Sequence, residues 1–235
     1  MTLVLLAPIG LDGGVWDELA LPTGEVVRHV LPGFGGRPRA PERPTMASLA
    51  DELAGRLDGP ADVAGCSLGA MVALHLAVRH PECVRSLLLA CAGPCSDPRL
   101  MAERAADAVE RGMGGVLEVT LERWLTPELL ALAPPPRAVR YAREQLLALD
   151  PEAFADGWRA IATHDLTGRL GEIEVPVTVL AGSRDAATPL ERVRALADGV
   201  PGARFTVLDG PHVLPLGCPD AFGGALAAHL AGVPA

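Results

Sequence analysis

The chain has 235 residues, of which 49% are hydrophobic and 21% charged, and its 20 basic and 29 acidic side chains give a net charge of −9. This length and apolar fraction suit one large domain or a domain with an insertion, and the negative charge argues against a nucleic-acid-binding surface. All basic residues are arginine, and the chain has neither lysine nor asparagine. Schiff-base chemistry, pyridoxal-phosphate chemistry and a lysine-dependent phosphate loop are therefore excluded.

The five cysteines are scattered and form no C-x-x-C pair, which favours reduced thiols over a disulfide scaffold or a zinc site. The start of the chain lacks the basic region of a signal peptide and is interrupted by Pro8. The longest nearly apolar stretch, residues 63–78, is shorter than the roughly 20 residues that span a bilayer. We therefore expect a cytoplasmic protein without a metal, a cofactor or a membrane segment.

Short apolar runs alternate with helical patterns along the chain. The predicted strands are Leu3–Ala7, Glu25–Leu31, Ala61–Cys66, Val84–Cys91, Val175–Ala181 and Arg204–Leu208. Helices are predicted from Thr45 or Ser48 to about Leu57, and over Ala70–Arg79, Pro189–Asp198 and Pro219–Leu230. This alternation predicts an α/β fold, with a mostly parallel, doubly wound sheet of about six strands and helices on both faces.

The alternation stops after the fourth predicted strand. Between Pro94 and Thr167 the helical patterns are Leu100–Arg111, Gly115–Leu125, Pro136–Leu149 and Pro151–His164, with no convincing strand. Open α/β sheets hold their ligands at the carboxyl ends of the strands. An all-helical insertion between two strands therefore indicates a cap over these ends. We predict a core of residues 1–93 and 168–235, and a helical cap of residues 94–167.

The segment Gly65-Cys66-Ser67-Leu68-Gly69 matches G-x-S-x-G between a predicted strand and a predicted buried helix. A nucleophile elbow has this context, because a sharp strand-to-helix turn with a strained serine needs small residues two positions to either side. The alternative is an ordinary turn flanked by glycines. Cys66 is expected on the opposite face of the sheet as a buried residue. Ser67 is thus the candidate nucleophile.

A serine nucleophile requires a histidine base that is oriented by a carboxylate. Among six histidines, His212 lies in a loop directly after a core strand, at the sheet edge where Ser67 is expected. His164, at the end of the cap, is the alternative base. Asp185 follows the fifth predicted strand and gives the chain order Ser, Asp, His that is expected on this fold. Asp209 is the alternative carboxylate.

Several segments match a known group of proteins. They are Leu31-Pro32-Gly33-Phe34-Gly35-Gly36, the elbow, His80-Pro81-Glu82, residues 84–89, Arg123-Trp124-Leu125-Thr126-Pro127, Gly182-Ser183-Arg184-Asp185 and Gly210-Pro211-His212. Over essentially its whole length the chain resembles the α/β-hydrolase superfamily. Within it, the Arg-Trp-x-Thr-Pro segment is similar to that of 3-oxoadipate enol-lactonases and related small carboxylesterases.

The resemblance implies an oxyanion hole built from two backbone N–H groups. One belongs to Leu68, directly after the nucleophile. The other is assigned to Ile9 by register with the family's G-x₅-W spacing, which begins here at Gly10. Pro8, which stands where many relatives have glycine, has no N–H and cannot serve.

Aromatic residues and one arginine are the candidates for substrate contact. Trp16 and Phe34 lie in core loops, and Trp124 and Trp158 in the cap. The resemblance implies that Arg123 pairs with a substrate carboxylate while Trp124 packs on the apolar part of the substrate, since a guanidinium offers a planar fork of donors. The alternatives are a solvated arginine on a cap helix and aromatic rings that only fill the cap core.

Together these features predict a serine hydrolase that cleaves a small carboxylic ester or lactone through an acyl-enzyme. The same triad could serve carbon–carbon bond hydrolysis, thioester cleavage or elimination, because fold and triad do not fix the reaction. A non-catalytic binding protein on the same fold is the alternative from another class. We expect a small-molecule substrate and no nucleic-acid or membrane partner, and the oligomeric state is left open.

Overall fold

The structure, a computed structural model, describes residues 2–233, so the predicted boundaries at Met1 and at residues 234–235 lie outside the described residues. Its strands are β1 Thr2–Leu6, β2 Glu25–His29, β3 Ala61–Cys66, β4 Val84–Ala90, β5 Val177–Gly182 and β6 Arg204–Leu208. They form one six-stranded sheet in the order β2-β1-β3-β4-β5-β6, and every neighbouring pair is parallel. The predicted α/β class and strand number are confirmed.

The burial of the strands explains why they appear in the sequence as runs of apolar residues. β3 and β5 are buried at every residue, whereas the edge strands β2 and β6 are partly exposed. Interior strands of a parallel sheet are covered by helices on both faces, which removes the polar alternation of a half-buried strand. β5 begins two residues later than predicted because Pro176, just before it, has no N–H for the ladder.

Helices cover both faces of the sheet. They are α1 Met46–Ala54, α2 Leu68–Arg79, α3 Pro98–Trp124, α4 Pro127–Leu130, α5 Arg137–Ala148, α6 Pro151–Ile161, α7 Leu190–Gly199, α8 Leu214–Gly217 and α9 Pro219–Ala231. Thr45 and Ser48, the two alternative starts predicted for α1, cap its N-terminus together, because each hydroxyl accepts a hydrogen bond from the other's backbone N–H. None of these helices, in the part of the chain described, is long and apolar enough to cross a membrane.

The helices α3 to α6 all lie between β4 and β5, where the cap is predicted. Gly112 breaks α3 with φ 65° and ψ 172°, and this break separates the two helical patterns that the sequence predicts over 100–111 and 115–125. Both α5 and α6 pack against α3. The division of the chain into a core and a cap domain itself stays a prediction.

A buried histidine pair joins this insertion to the central helix. His75 Nε2 lies 3.1 Å from His164 Nδ1, and His164 Nε2 lies 2.9 Å from the carbonyl oxygen of Gly93. The carbonyl can only accept, so His164 carries its proton on Nε2 and its Nδ1 accepts from His75. Burial lowers the pKa of both imidazoles, that of His75 to about 4. His164, the alternative base, is therefore occupied away from Ser67.

The buried pair of His75 and His164 predicts that the folded protein is less stable in mild acid than at neutral pH. In the unfolded chain both imidazoles gain a proton near pH 6.5, while folded His75 resists protonation down to about pH 4. The free energy of unfolding should therefore fall as the pH is lowered through this window. Urea unfolding at pH 7 and pH 5 measures it, and His75→Gln should flatten the dependence. An equally steep dependence in the variant would contradict this assignment.

Candidate active site

The backbone turn at Ser67 determines the geometry of the site. Ser67 joins β3 to α2 with φ 55° and ψ −118°, a left-handed conformation that a residue with a Cβ adopts rarely. A Cβ added at Gly69 would overlap the carbonyl oxygen of Leu6, and one added at Gly65 would lie 2.5 Å from the Gly69 carbonyl. The two glycines of the G-x-S-x-G segment are therefore required for β3, α2 and β1 to approach so closely.

The side chains of His212 and Asp185 form a chain of hydrogen bonds that begins at Ser67. Ser67 Oγ lies 2.9 Å from His212 Nε2, and His212 Nδ1 lies 2.9 and 3.0 Å from the two carboxylate oxygens of Asp185. Ser67 and His212 are 7% and 4% exposed. Since the carboxylate can only accept, the proton of neutral His212 lies on Nδ1, which leaves Nε2 free to accept from the Ser67 hydroxyl.

Asp185 is held as an anion by its surroundings. Its Oδ1 accepts the backbone N–H groups of Ala187 at 2.7 Å and Thr188 at 2.8 Å, in addition to His212. Burial acts to raise the pKa of Asp185, but His212 and these hydrogen bonds outweigh it and lower the pKa overall. A carboxylate fixed in this way can hold one tautomer and one orientation of the imidazole.

The loops that carry Asp185 and His212 are joined by their backbones. Ser183 N donates to Leu208 O at 2.8 Å, and Arg184 N donates to Gly210 O at 3.0 Å. Asp209, the alternative carboxylate, points elsewhere, because it accepts from Ser183 Oγ at 3.0 Å and its side chain is 84% exposed. The structure thus brings Ser67, Asp185 and His212 together and leaves Asp209 out.

A cavity opens beside Ser67 and His212, beneath the helices of the insertion. Its lining includes Ile9, Arg123, Trp124 and Trp158 among the predicted substrate and oxyanion residues, and Met71, Arg104, Thr188 and Arg192 among those that were not predicted. The space measures about 690 Å³, including the part that is open to solvent. The cavity is thus lined both by the candidate nucleophile and base and by residues of the insertion.

Trp16 and Phe34 are not among the lining residues, in contrast to the prediction that they contact substrate. Trp16 is fully buried, with its ring 5.8 Å from that of Phe222. Phe34 is 2% exposed and its ring lies close to Gly157 in α6. Both rings are packed in the core, because large aromatic side chains are most stable where they are removed from water.

The two backbone N–H groups assigned to the oxyanion hole are placed differently in the chain. Leu68 is the first residue of α2, so its N–H has no acceptor inside the helix. Ile9 lies in the turn that Leu11 N closes on Pro8 O at 3.2 Å, and it lines the cavity beside Ser67. Ile9 thus lines the cavity, while Leu68 directly follows Ser67 in the chain.

Two arginines from the broken helix α3, Arg104 and Arg123, bring positive charge into the cavity. Burial lowers the pKa of both, and that of Arg123 reaches about 10 because Arg104 adds repulsion. Arg123 follows from the resemblance, whereas Arg104 has no sequence signal. It is one of the 20 arginines of the chain, and it lies on a helix whose face toward the cavity depends on the break at Gly112.

The thiol of Cys91 is the third potential metal ligand beside Asp185 and His212, with all three ligand atoms within 4.8 Å of one another. Burial raises the pKa of the Cys91 thiol well above its usual range, which opposes the thiolate that a metal would need. His212 and Asp185 also already bind each other. This arrangement is better suited to proton transfer than to holding an ion.

The packing at the elbow predicts a sharp difference between two glycines. Gly69→Ala should destabilise the fold by about 3 kcal/mol or more, because its Cβ meets the backbone of Leu6 and not a movable side chain. Gly55→Ala is the matched control, since Gly55 ends α1 with φ −66° and the atoms nearest to its Cβ position are at 3.6 Å. Urea unfolding compares the variants, and equal stability would contradict the assignment.

Comparisons with known proteins agree with this architecture. The model of the "Alpha/beta hydrolase family" matches residues 3–225. Among solved structures, a hydrolase from Pseudomonas aeruginosa superposes with a TM-score of 0.92 at 29% identity, covering 97% of this chain and 89% of its own. The enol-lactonase from Burkholderia xenovorans superposes with a TM-score of 0.91 at 27% identity, covering 98% and 91%.

A curated relative from Chromobacterium violaceum, named pimeloyl-[acyl-carrier protein] methyl ester esterase, is 35% identical over 97% of this chain and 93% of its own length. A relative of the same name from Aromatoleum aromaticum is 34% identical over 88% of each chain. The resemblance to α/β hydrolases is thus confirmed, and the name of the curated relatives agrees with the predicted action on carboxylic esters. The chain belongs to the alpha/beta hydrolase family.

Proposed function

We propose that this protein is a serine hydrolase that cleaves a small carboxylic ester through an acyl-enzyme, with Ser67 as nucleophile, His212 as base and Asp185 as the group that orients His212. The observation that carries the proposal is the continuous hydrogen-bonded line from Ser67 Oγ through His212 to Asp185, with steps of 2.9 Å. It begins on a strained turn and opens into the cavity.

In the first half of the reaction, Ser67 Oγ attacks the ester carbonyl carbon while its proton passes to His212 Nε2. The imidazolium that forms is stabilised by the Asp185 carboxylate, which does not itself take the proton. Collapse of the tetrahedral intermediate breaks the bond to the alcohol oxygen, and His212 donates its proton to that leaving group. Water then repeats the sequence on the acyl-enzyme and releases the acid.

The negative charge of each tetrahedral intermediate needs donors that are already in place. We assign this role to the N–H groups of Leu68 and Ile9. The first lies at the N-terminal end of α2, where the helix dipole also favours an anion. The second lies in a tight turn beside Ser67.

The names of the relatives favour a carboxylic ester. Those of the curated relatives describe a methyl ester esterase, and structural neighbours above 25% identity include an enol-lactonase and an esterase from Thermogutta terrifontis. A lactone is therefore the second candidate, since its ring ester reacts by the same steps. We also propose that residues 94–167 act as a cap, because Arg104, Arg123, Trp124 and Trp158 from this segment line the cavity.

Substitution of the three proposed catalytic residues tests the mechanism. Ser67→Ala and His212→Ala should each lower kcat/KM for a methyl ester by about 10⁴-fold or more, and the double variant should lose little beyond either, since the pair acts as a unit. Asp185→Asn should cost about 10³- to 10⁴-fold, because the imidazole then loses its preferred tautomer. Methanol release in steady state measures each effect.

Ser183→Ala and Asp209→Asn are the matched controls, since both side chains lie in the same two loops but point away from His212. They should retain activity within about threefold. A fluorophosphonate probe should label Ser67 in the wild type only. Activity that persists in Ser67→Ala would overturn the mechanism, and a wild-type protein that neither reacts with the probe nor hydrolyses esters, thioesters or lactones would favour the binding-protein alternative.

A further inference from the structure

The cavity beside Ser67 holds two half-buried guanidinium groups, those of Arg104 and Arg123, and neither forms an ion pair with a carboxylate of residues 2–233, although Asp107 attracts Arg123 electrostatically. Within the part of the chain that the structure describes, Arg104 forms no hydrogen bond and no ion pair, and Arg123 donates only to Thr120 Oγ1 at 3.2 Å. The Nε atoms of both arginines are shielded from solvent and have no acceptor. Buried donors without acceptors cost free energy, so two of them in one cavity require an explanation.

Trp158 connects the two arginines. The guanidinium carbon of Arg104 lies 4.9 Å from the centroid of its ring, and that of Arg123 lies 5.8 Å away. The indole is 6% exposed, and its Nε1 is also shielded from solvent without an acceptor. The ring holds the cations by cation–π attraction, which leaves their N–H donors free for another partner.

The other charged groups that line the cavity already have partners. Asp97 accepts the backbone N–H groups of Arg99 at 2.9 Å and Leu100 at 3.3 Å, and thereby begins α3. Arg192 donates to the carbonyl oxygen of Cys95 at 2.6 Å. The carboxylate of Asp97 is thus used as a helix cap and does not neutralise Arg104 or Arg123.

The break in α3 creates this arrangement. In a straight helix the Cα atoms of Arg104 and Arg123 would lie roughly 28 Å apart, too far for both guanidinium groups to reach one indole. Gly112, at φ 65° and ψ 172°, turns the chain between them. The two halves of α3 therefore supply one cation each to the same part of the cavity.

We propose that Arg104, Arg123 and the Trp158 N–H form an anion-binding subsite that holds a negatively charged group at the far end of the substrate from the scissile ester. A planar carboxylate fits best, because a guanidinium presents paired donors to its two oxygens. This inference rests on the proposed function and deepens it. The preferred substrates are then half-esters of dicarboxylic acids or carboxylated lactones, with the acid group left ionised.

A pair of substrates that differ only in this charge tests the subsite. Monomethyl adipate and methyl hexanoate have the same chain length, and the carboxylate of the first replaces the terminal methyl group of the second. Arg104→Gln and Arg123→Gln should each lower kcat/KM for monomethyl adipate by about 10- to 100-fold. Methyl hexanoate should change by no more than about threefold. Arg99→Gln, an exposed arginine on α3 outside the cavity, is the matched control.

Binding to the Ser67→Ala variant separates this inference from the hydrolysis itself. Calorimetry should show that adipate and inorganic phosphate bind to the Ser67→Ala variant, and that both bind more weakly to the double variant that also carries Arg104→Gln. The ligand that binds more strongly indicates whether the subsite prefers a carboxylate or a phosphate. Equal rates on both esters, or arginine substitutions that affect both substrates alike, would overturn the subsite and leave the esterase intact. If neither ester is hydrolysed, the proposed function fails, and the anion titrations still decide the subsite.

Discussion

The close approach of α2 to the sheet at Ser67 is the constraint on which the rest of the site depends. Gly69 packs against the backbone of Leu6 in β1, and Gly65 packs against Gly69, so the chain can reverse from strand to helix in one residue. Ser67 is that residue, and its backbone has the strained conformation that places its hydroxyl at the edge of the sheet. The loops after β5 and β6 end at the same edge, which brings Asp185 and His212 into line with it.

The insertion contributes charge and aromatic surface rather than reacting groups. Arg104 and Arg123 lie against Trp158, where burial works against their positive charge. A protein retains such an arrangement at a cost in stability, which a bound anion would offset. The proposed catalytic residues therefore lie at the sheet edge, whereas the two arginines of the proposed anion subsite lie on the two halves of α3, which the break at Gly112 separates.

Buried histidines in this protein illustrate how position decides chemistry. His75 and His164 bind each other and a backbone carbonyl, so their nitrogens are used to hold the insertion on the central helix. His212 differs because one nitrogen faces a carboxylate and the other faces a hydroxyl. The same side chain thus serves as a structural link in one place and as a candidate base in another, and only its neighbours distinguish the two.

The sequence by itself determined the α/β class, the six strands and the order of Ser67, Asp185 and His212 along the chain, because hydrophobic periodicity and glycine spacing are local properties. It could not decide which aromatic rings face the cavity: Trp16 and Phe34 are packed in the core, whereas Trp124 and Trp158 line the cavity. The sequence also did not identify Arg104 as a residue of the cavity, because its position beside Arg123 depends on how α3 turns at Gly112. Such contacts join residues far apart in sequence, and only tertiary packing fixes which of them meet.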